Sequence, residues 1–430
     1  MRVLAVGGGA REHAIVAALA RSGAEVCVCM KNKNPGISRL AKEVLLADET
    51  DVPRVVEFAT AQGAELAVVG PEAPLEAGLS DGLRGADIPT ASPSKSAARI
   101  ETSKSFMREL LLKHKVRGAV KFVVADDVQD VAKGIEQLGT DVVVKPTGLT
   151  GGKGVKVFGE HLMSKEDIMA YAEEIFSKRI GGSARIVLEE RLVGEEFTVQ
   201  AFCDGRRVVP MPAVQDHKRA YEGDKGPNTG GMGSYSQKDG LLPFLRKEEY
   251  DSAVGIMDQV VEALRSEGAE YLGTLYGQFM LTKDGPRVIE FNARFGDPEA
   301  QVLVMSLGED LLPWLDASAR GTLAPRPLTL LPGASVGVVL ASPGYPAAPV
   351  TGAPISGVER IGGSCQVFHA GTAMRDGQLV TAGGRVLTVC ALGVDRADAA
   401  TRAYEAVEQI RFRGAQFRRD IGRAGPGEGA

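Results

Sequence analysis

The chain has 430 residues with near-average apolar (44%) and charged (24%) content and 53 glycines. This implies about three globular domains with many tight turns and excludes a disordered or collagen-like chain. Lys+Arg is 50 against 55 Asp+Glu, a formal net charge of −5, so no broad basic face for nucleic acid is expected. No apolar run approaches the roughly 18 residues of a membrane span. Five Cys without a CxxC pair argue against a disulfide scaffold or zinc site. The opening MRVLAVGGGA has no signal-peptide layout, so a cytoplasmic setting is expected.

In chain order, RVLAV (2–6) reads as a buried strand, followed by a Gly-rich turn and a helix over EHAIVAALARSG. In that helix Ala14, Ile15, Ala18 and Leu19 share a face, and Gly23 stops it. EVCVCM (25–30) is a strand, VPRVVEFATAQG a helix, ELAVVG (65–70) a strand and PLEAGLSDGL a helix. This alternation predicts a parallel α/β unit ending near residue 92. A helix over 103–114 carries Lys104. Next come helix VQDVAKGIEQLG, strand 141–145, loop PTGLTGGKG, strand VKVF and a helix over 165–178. Strands 185–190 and 195–205 precede a long polar loop, 216–236. A helix over 246–267 and strands 273–281 and 287–292 complete an α+β nucleotide-binding pattern. The tail from about 325 predicts a small, mostly β domain with one helix near 396–410.

The turn Gly7-Gly8-Gly9-Ala10-Arg11-Glu12-His13 places amides at a helix N-terminus, an anion site. A dinucleotide fingerprint would need a third glycine where Glu12 stands, and an acidic residue after the second strand, where Met30-Lys31 stands. Arg11 suits a phosphate; a plain tight turn with a solvated Arg is the alternative. His13 is expected to pack or cap.

Lys145-Pro-Thr-Gly148-Leu-Thr-Gly151-Gly152-Lys153-Gly154 follows a strand. It predicts a flap whose amides close over phosphate oxygens while Lys145 and Lys153 neutralise them. A Walker A loop is excluded: Gly148 to Gly152 is one residue short, Gly154 replaces the hydroxyl residue, and no helix follows. The alternative is a hairpin loop with incidental lysines.

In Glu290-Phe291-Asn292-Ala-Arg294-Phe-Gly-Asp297-Pro-Glu299, strand alternation puts Glu290 and Asn292 on one face roughly 6.6 Å apart. Two oxygens on a rigid strand suit Mg²⁺, which keeps waters and binds substrate phosphates. Gln278 lies on the preceding strand. A two-residue Asp284-Gly285 turn would aim it away, whereas a five-residue loop 283–287 pairs it with Asn292 and keeps Pro286 out of the ladder. The longer loop is expected, with Gln278 a third oxygen ligand. Arg294 could hold a carboxylate or phosphate in a bidentate fork.

Two further stretches are suggestive: Glu189-Glu190-Arg-Leu192…Glu196 at a strand end, and the loop Gln215-Asp216-His217-Lys218-Arg219…Gly226-Pro-Asn228-Thr-Gly-Gly-Met232-Gly233. Loops that long are uncommon unless functional.

Together these motifs resemble the ATP-grasp superfamily, and within it the phosphoribosylamine–glycine ligase family. The resemblance covers nearly the whole chain: VGGGAREHA, GPEAPL, KPTGLTGGKGV, QDHKR with GPNTGGMG, EFNARFGDPEAQ, FHAGT and GGRVLTVCALG. It implies that glycine and 5-phosphoribosylamine are joined with ATP, in purine synthesis, through glycyl phosphate. It implies three domains: 1–100, an α/β substrate-binding unit; 101–325, an ATP-grasp unit with a mobile subdomain at about 115–190; and 326–430. By similarity, Lys104, Lys145 and the flap residues Gly148, Gly151, Gly152, Lys153 and Gly154 meet ATP phosphates. Glu189 and the Leu192 backbone meet adenine, and Glu196 the ribose. Gln278, Glu290 and Asn292 hold Mg²⁺ or Mn²⁺, Gln278 at a position that varies in the family. Gly9, Arg11, Glu12, Asp216, Lys218, Asn228, Arg294 and Asp297 surround the amine, glycine and acyl phosphate, with Asp216, Arg294 and Asp297 closest to the chemistry. Thr147 departs from the family, where Asp often stands. The resemblance further implies a monomer in transient contact with the enzyme that makes phosphoribosylamine, and no nucleic-acid or membrane partner.

Competing readings differ in their motifs. Another ATP-grasp ligase or carboxylase would lack QDHKR…GPNTGGMG. A non-enzymatic nucleotide-binding module would not need Glu290 and Asn292 on one face.

Overall fold

Four parallel strands open the chain: Arg2–Val6, Glu25–Met30, Glu43–Leu46 and Leu66–Val69. In space they run third, second, first, fourth. The computed structural model describes residues 1–150 and 154–423. Val3, Leu4, Ala5 and Val6 are all buried, as expected for a central parallel strand covered on both faces. The sheet is the parallel α/β unit expected, with two differences. Glu43–Leu46 is a strand that pattern reading misses, because four half-exposed edge residues carry no alternation. PLEAGLSDGL divides into helices Glu72–Ala77 and Leu79–Gly85, since Gly78 adopts φ +92° between them.

The central part holds two antiparallel sheets. The smaller runs Phe122–Ala125, Ile186–Glu190, Val142–Pro146, Lys156–Val157. With helices Val128–Leu138 and Lys165–Lys178 it encloses a separate hydrophobic cluster including Val131, Val144, Ile168 and Leu188. The larger runs Val208–Pro210, Glu195–Asp204, Leu272–Thr282, Gly285–Asn292, and helix Lys247–Ser266 packs on it.

The hairpin that ends this sheet corrects the expected register. Thr282 pairs with Gly285 around a two-residue Lys283-Asp284 turn, and Pro286 sits in the ladder opposite Leu281. Proline is tolerated there because this is the edge strand. Val288, two residues on, points its N–H outward to the Gly118 carbonyl, so the Pro286 nitrogen faces the same unpaired side. The ladder then shifts by one residue between Gln278 and Phe279, so Gln278 opposes Glu290. The expected Gln278–Asn292 pairing is therefore wrong; Asn292 opposes Tyr276. The shared face survives for a different reason, a bulge at Ile289 rather than a long loop.

Residues 216–236 are not one polar loop. Gln215–Asp216 and Gly233–Ser236 pair with each other, and Arg219–Tyr221 and Lys225–Asn228 form a separate hairpin. The outer two strands join the C-terminal sheet, whose order is Gln215–Asp216, Gly233–Ser236, Ala334–Ala341, Arg385–Gly393, Cys365–His369. Helices Glu299–Ser306 and Arg396–Val407 pack on it. The tail is thus mostly β with one late helix, as expected.

His13 packs, also as expected. Its Nδ1 accepts the His369 N–H at 2.8 Å, and its ring lies edge-on to Phe368. Asn34 Nδ2 donates to the His369 carbonyl at 2.7 Å. These bonds join the first sheet's helices to the C-terminal sheet.

Candidate active site

The site is built around the end of strand Gly285–Asn292. Burial opposes a charge on Glu290, yet Lys218, Lys145, Lys104 and Arg294 together hold its carboxyl below the usual range. Four cations brought to bear on one carboxylate by residues far apart in sequence make an anion-binding cleft. Lys104 opens helix Lys104–Lys113, capped by Ser103. Its Nζ donates to the Gly148 carbonyl at 3.1 Å and its N–H to the Thr147 carbonyl at 2.9 Å, which anchors the start of the Gly-rich loop. Burial draws the Lys104 ammonium down from its ordinary value. Gly148 and Gly154 are buried; Gly151, Gly152 and Lys153 lie outside the described residues.

Gln278 Nε2 donates to Glu196 Oε2 at 2.7 Å, and Lys218 Nζ lies 3.6 Å from the same oxygen. That bond fixes the amide, leaving Gln278 Oε1 buried without a hydrogen bond on the face it shares with Glu290. An orphaned oxygen beside a carboxylate, with the Asn292 amide two residues on, fits a hard cation that also takes phosphate and water oxygens. Among the described residues no group of three or more His, Cys, Asp or Glu could hold a metal; the fit rests on this mixed oxygen set.

Glu189 sits beneath the cleft. Arg108 grips it bidentately, Nε–Oε1 and Nη2–Oε2 both at 2.7 Å, and Lys145 Nζ lies 2.7 Å from Oε2. Burial alone would push this carboxyl up, but the two cations hold it at about 2. Arg108 also donates to the carbonyls of Val288 at 3.1 Å and Ile289 at 2.8 Å. One buried guanidinium thereby ties the smaller sheet, through Glu189, to the strand of the larger sheet that carries Glu290. Leu192 is half-buried and Glu196 exposed at the mouth.

The loop after Asn292 meets the first domain. Arg294 Nη2 lies 2.9 Å from Glu101 Oε1, and its Nε lies 3.4 Å from Glu72 Oε2. Burial works against the Arg294 charge, but Glu101, Glu72 and Glu299 raise its pKa above the ordinary value. Arg11 Nη1 donates to the Phe295 carbonyl at 3.2 Å, so the Gly-rich turn and the Arg294 loop touch. The anion at that turn is internal: Glu12 Oε2 accepts the Gly9 N–H at 2.7 Å, and Glu12 Oε1 lies 2.6 Å from Arg11 Nε. A Cβ on Gly7, itself at φ +116°, would lie 2.6 Å from Glu12 Cγ. The glycines cradle Glu12 as well as turning the chain.

Asp216 and Asp297 complete the cleft. Burial pushes the Asp216 carboxyl well up, Glu299 adds to it, and its Oδ1 has no hydrogen bond. Glu299 is held by the Tyr276 hydroxyl at 2.8 Å. Asp297 accepts from Gln301 at 2.7 Å and from Arg385 Nη2 at 2.9 Å; burial opposes its charge, but Arg385, Arg11, the Gln301 bond and Arg294 together hold its carboxyl below the usual range. Arg385 also donates to the Asp297 and Gly230 carbonyls, so the C-terminal sheet reaches the site. Asn228 stands apart, half-buried in the Lys225–Asn228 strand opposite Arg219.

Three family models described as phosphoribosylglycinamide synthetase N, ATP-grasp (A) and C domains match residues 1–101, 102–300 and 335–424. The chain is 47% identical over 424 residues to the phosphoribosylamine–glycine ligase of Methanothermobacter thermautotrophicus, covering 98% of this chain and 96% of that one. The chain belongs to the phosphoribosylglycinamide synthetase family. Among solved structures, the phosphoribosylamine–glycine ligase of Thermotoga maritima superimposes with a TM-score of 0.83 at 32% identity, covering 98% of this chain and all of that one. The biotin carboxylase domain of Hydrogenobacter thermophilus 2-oxoglutarate carboxylase, in complex with magnesium ADP and bicarbonate, superimposes at 0.76 with 17% identity, over 97% of this chain and 91% of that one. At that identity only the fold is shared.

In this synthetase fold, sequence reasoning passes over Arg108, Glu101, Glu72 and Arg385. Arg108 has a legible signal, standing four residues after Lys104 on the same helix face. Glu101, Glu72 and Arg385 have none, because their partners lie about 90 to 220 residues away in sequence.

Proposed function

We propose that this chain joins glycine to 5-phosphoribosylamine, converting ATP to ADP and phosphate, as a ligase of de novo purine biosynthesis. The observation that carries the reading is the set of cations placed around the strand bearing Glu290, with Lys145 on the Ile289 carbonyl and Glu189, Lys218 beside the Glu196 that Gln278 bonds, Lys104 on the Gly148 carbonyl and Arg294 just beyond Asn292, in a chain of this family. A carboxylate is a poor electrophile at neutral pH. Transfer of the γ-phosphoryl group to a glycine oxygen gives glycyl phosphate; the amine nitrogen attacks its carbonyl and phosphate leaves with that oxygen. Such transfer needs positioning and charge neutralisation rather than a protein nucleophile.

Lys104 and Lys145 neutralise the ATP phosphates, with the Gly-rich loop that begins at Gly148 as the flap. Leu192 and the Glu189 main chain face the adenine, since the Glu189 carboxylate is engaged by Arg108 and Lys145. Glu196 faces the ribose. Arg294 forks onto the carboxylate of glycine or its acyl phosphate, with Asp216, Asp297, Lys218 and the Gly9–Glu12 turn around the amine substrate. Enzymes of the ATP-grasp type use ATP with a divalent metal; here Gln278, Glu290 and Asn292 would hold Mg²⁺ or Mn²⁺, which supplies charge neutralisation at the phosphates. Residues 1–100, 101–325 and 326–430 act as three units. The subdomain 115–190, which has its own hydrophobic cluster, closes over the nucleotide and excludes water from the acyl phosphate. No helix among the described residues is long and apolar enough to cross a membrane. The enzyme works in the cytoplasm as a monomer, taking its unstable amine in transient contact with the enzyme that makes it.

Glycine labelled with oxygen-18 in its carboxylate tests the route. Label in the released phosphate supports glycyl phosphate, and unlabelled phosphate excludes it.

A further inference from the structure

We propose that Glu101 is the residue that positions Arg294 for the ligation, a role that rests on the reading above. Glu101 is 7% exposed, in the last turn of helix Lys95–Thr102. A carboxylate is disfavoured at a helix C-terminus, where the dipole is negative, so its place needs a compensating partner. It has two, from consecutive residues. Oε1 lies 2.9 Å from Arg294 Nη2, and Oε2 accepts the Ala293 N–H at 2.7 Å. One carboxylate thus fixes both the backbone that launches Arg294 and the guanidinium at its tip.

The rest of the guanidinium is consistent with a presented fork. Arg294 Nη1 donates to the Phe295 carbonyl at 3.2 Å, and Nε faces Glu72 at 3.4 Å without a hydrogen bond. Of five N–H donors, one on Nη1 is hydrogen-bonded, one on Nη2 faces Glu101 and the one on Nε faces Glu72, which leaves one on each terminal nitrogen facing no partner among the described residues. Those are the donors an incoming carboxylate or phosphate takes. A long charged side chain is free to sample many rotamers, and the Glu101 contacts remove that freedom before substrate arrives.

Glu101 also lies three residues before Lys104, across the Ser103 cap. The same short turn sets the cation facing the nucleotide and the carboxylate steering Arg294. The Glu101 contacts are to Arg294 and the Ala293 N–H, so it acts through Arg294.

Glu101→Gln keeps the shape and the bond from Ala293 but removes the charge. The expected result is a fall on the order of tenfold in kcat/KM for glycine, with the KM for ATP changed less than twofold. In an Arg294→Ala background the same substitution should have no further effect on the residual rate. Glu101→Asp, which keeps the charge one methylene back, should show the same glycine-specific loss at smaller size, so misfolding of the Gln variant does not protect the idea. Wild-type kinetics in a folded Glu101 variant would overturn it. So would a loss that persists undiminished without Arg294, or one that falls on ATP. If instead the wild-type protein fails to use glycine at all, the ligase reading fails, a distinct outcome.

Discussion

Arg108→Met is the sharpest test of how the site is held. The guanidinium is 1% exposed, forms two 2.7 Å bonds to Glu189 and donates to the Val288 and Ile289 carbonyls. Met fills similar space but offers no donor. Removing one partner of a buried ion pair costs about 3–5 kcal/mol, because a buried charge is left short of compensation. Lys145 moderates the loss, since it contacts both Glu189 at 2.7 Å and the Ile289 carbonyl at 3.3 Å; the lower half of that range is expected. For a cooperative unit of roughly 200 residues each kcal/mol moves Tm by about 2–4 °C, so a drop of roughly 6–16 °C should appear in a thermal melt. The double variant Arg108→Met/Glu189→Gln should lose less than the sum of the two single losses, by about 1.5 kcal/mol or more. A drop of under about 2 °C, or strict additivity, would refute the view that this pair ties the smaller sheet to the Glu290 strand of the larger one.

Three further outcomes follow from the geometry. Glu290→Gln should lower turnover on the order of 10²-fold and raise the Mg²⁺ needed for half-maximal rate. Asn292→Ala and Gln278→Ala should shift the metal titration less, and no shift for Gln278→Ala would remove it from the ligand set. Arg385→Met should free Asp297 and Gly230 from the C-terminal sheet, lowering kcat with little change in Tm; an unchanged kcat would make Arg385 structural only. Burial holds His13 down at about 3, with His369 and Arg39 adding to it, and burial and Arg39 hold His369 at about 4. Both lie below the ordinary 6.5, so the folded state favours neutral rings. Their contribution is therefore full above pH 6.5 and is lost as pH falls towards 4 and 3, on the order of 2 kcal/mol per histidine at pH 5. His13→Asn, which keeps an acceptor for the His369 N–H, should flatten the fall in Tm between pH 7 and 5; an unchanged slope would contradict the assignment.

The first sheet was legible because buried parallel strands such as RVLAV and LAVV are nearly all apolar, and short Gly-terminated helices separate them. The Glu290–Asn292 pair was legible because strand alternation is local. The hairpin register was not: Pro286 argued for a long loop, but an edge strand accepts proline with its nitrogen outward, and the compensating bulge at Ile289 leaves no sequence mark. The stretch 216–236 read as a loop because its strands are two to four residues long, and the one that joins it to a larger sheet, Gly233–Ser236, finds its partner some hundred residues later, on Ala334–Ala341. Glu12 looked like a defect in a glycine fingerprint; in the fold it is the anion that the glycines receive. Glu101 and Arg385 show the same limit, since each gains meaning only from a partner distant in sequence.

The central claim is tested most directly by ADP release from ATP–Mg²⁺ with each co-substrate supplied alone and together. The account predicts release only when glycine and phosphoribosylamine are both present, with one ADP per amide formed. Equal turnover with bicarbonate in place of glycine, or release indifferent to the amine, would contradict it.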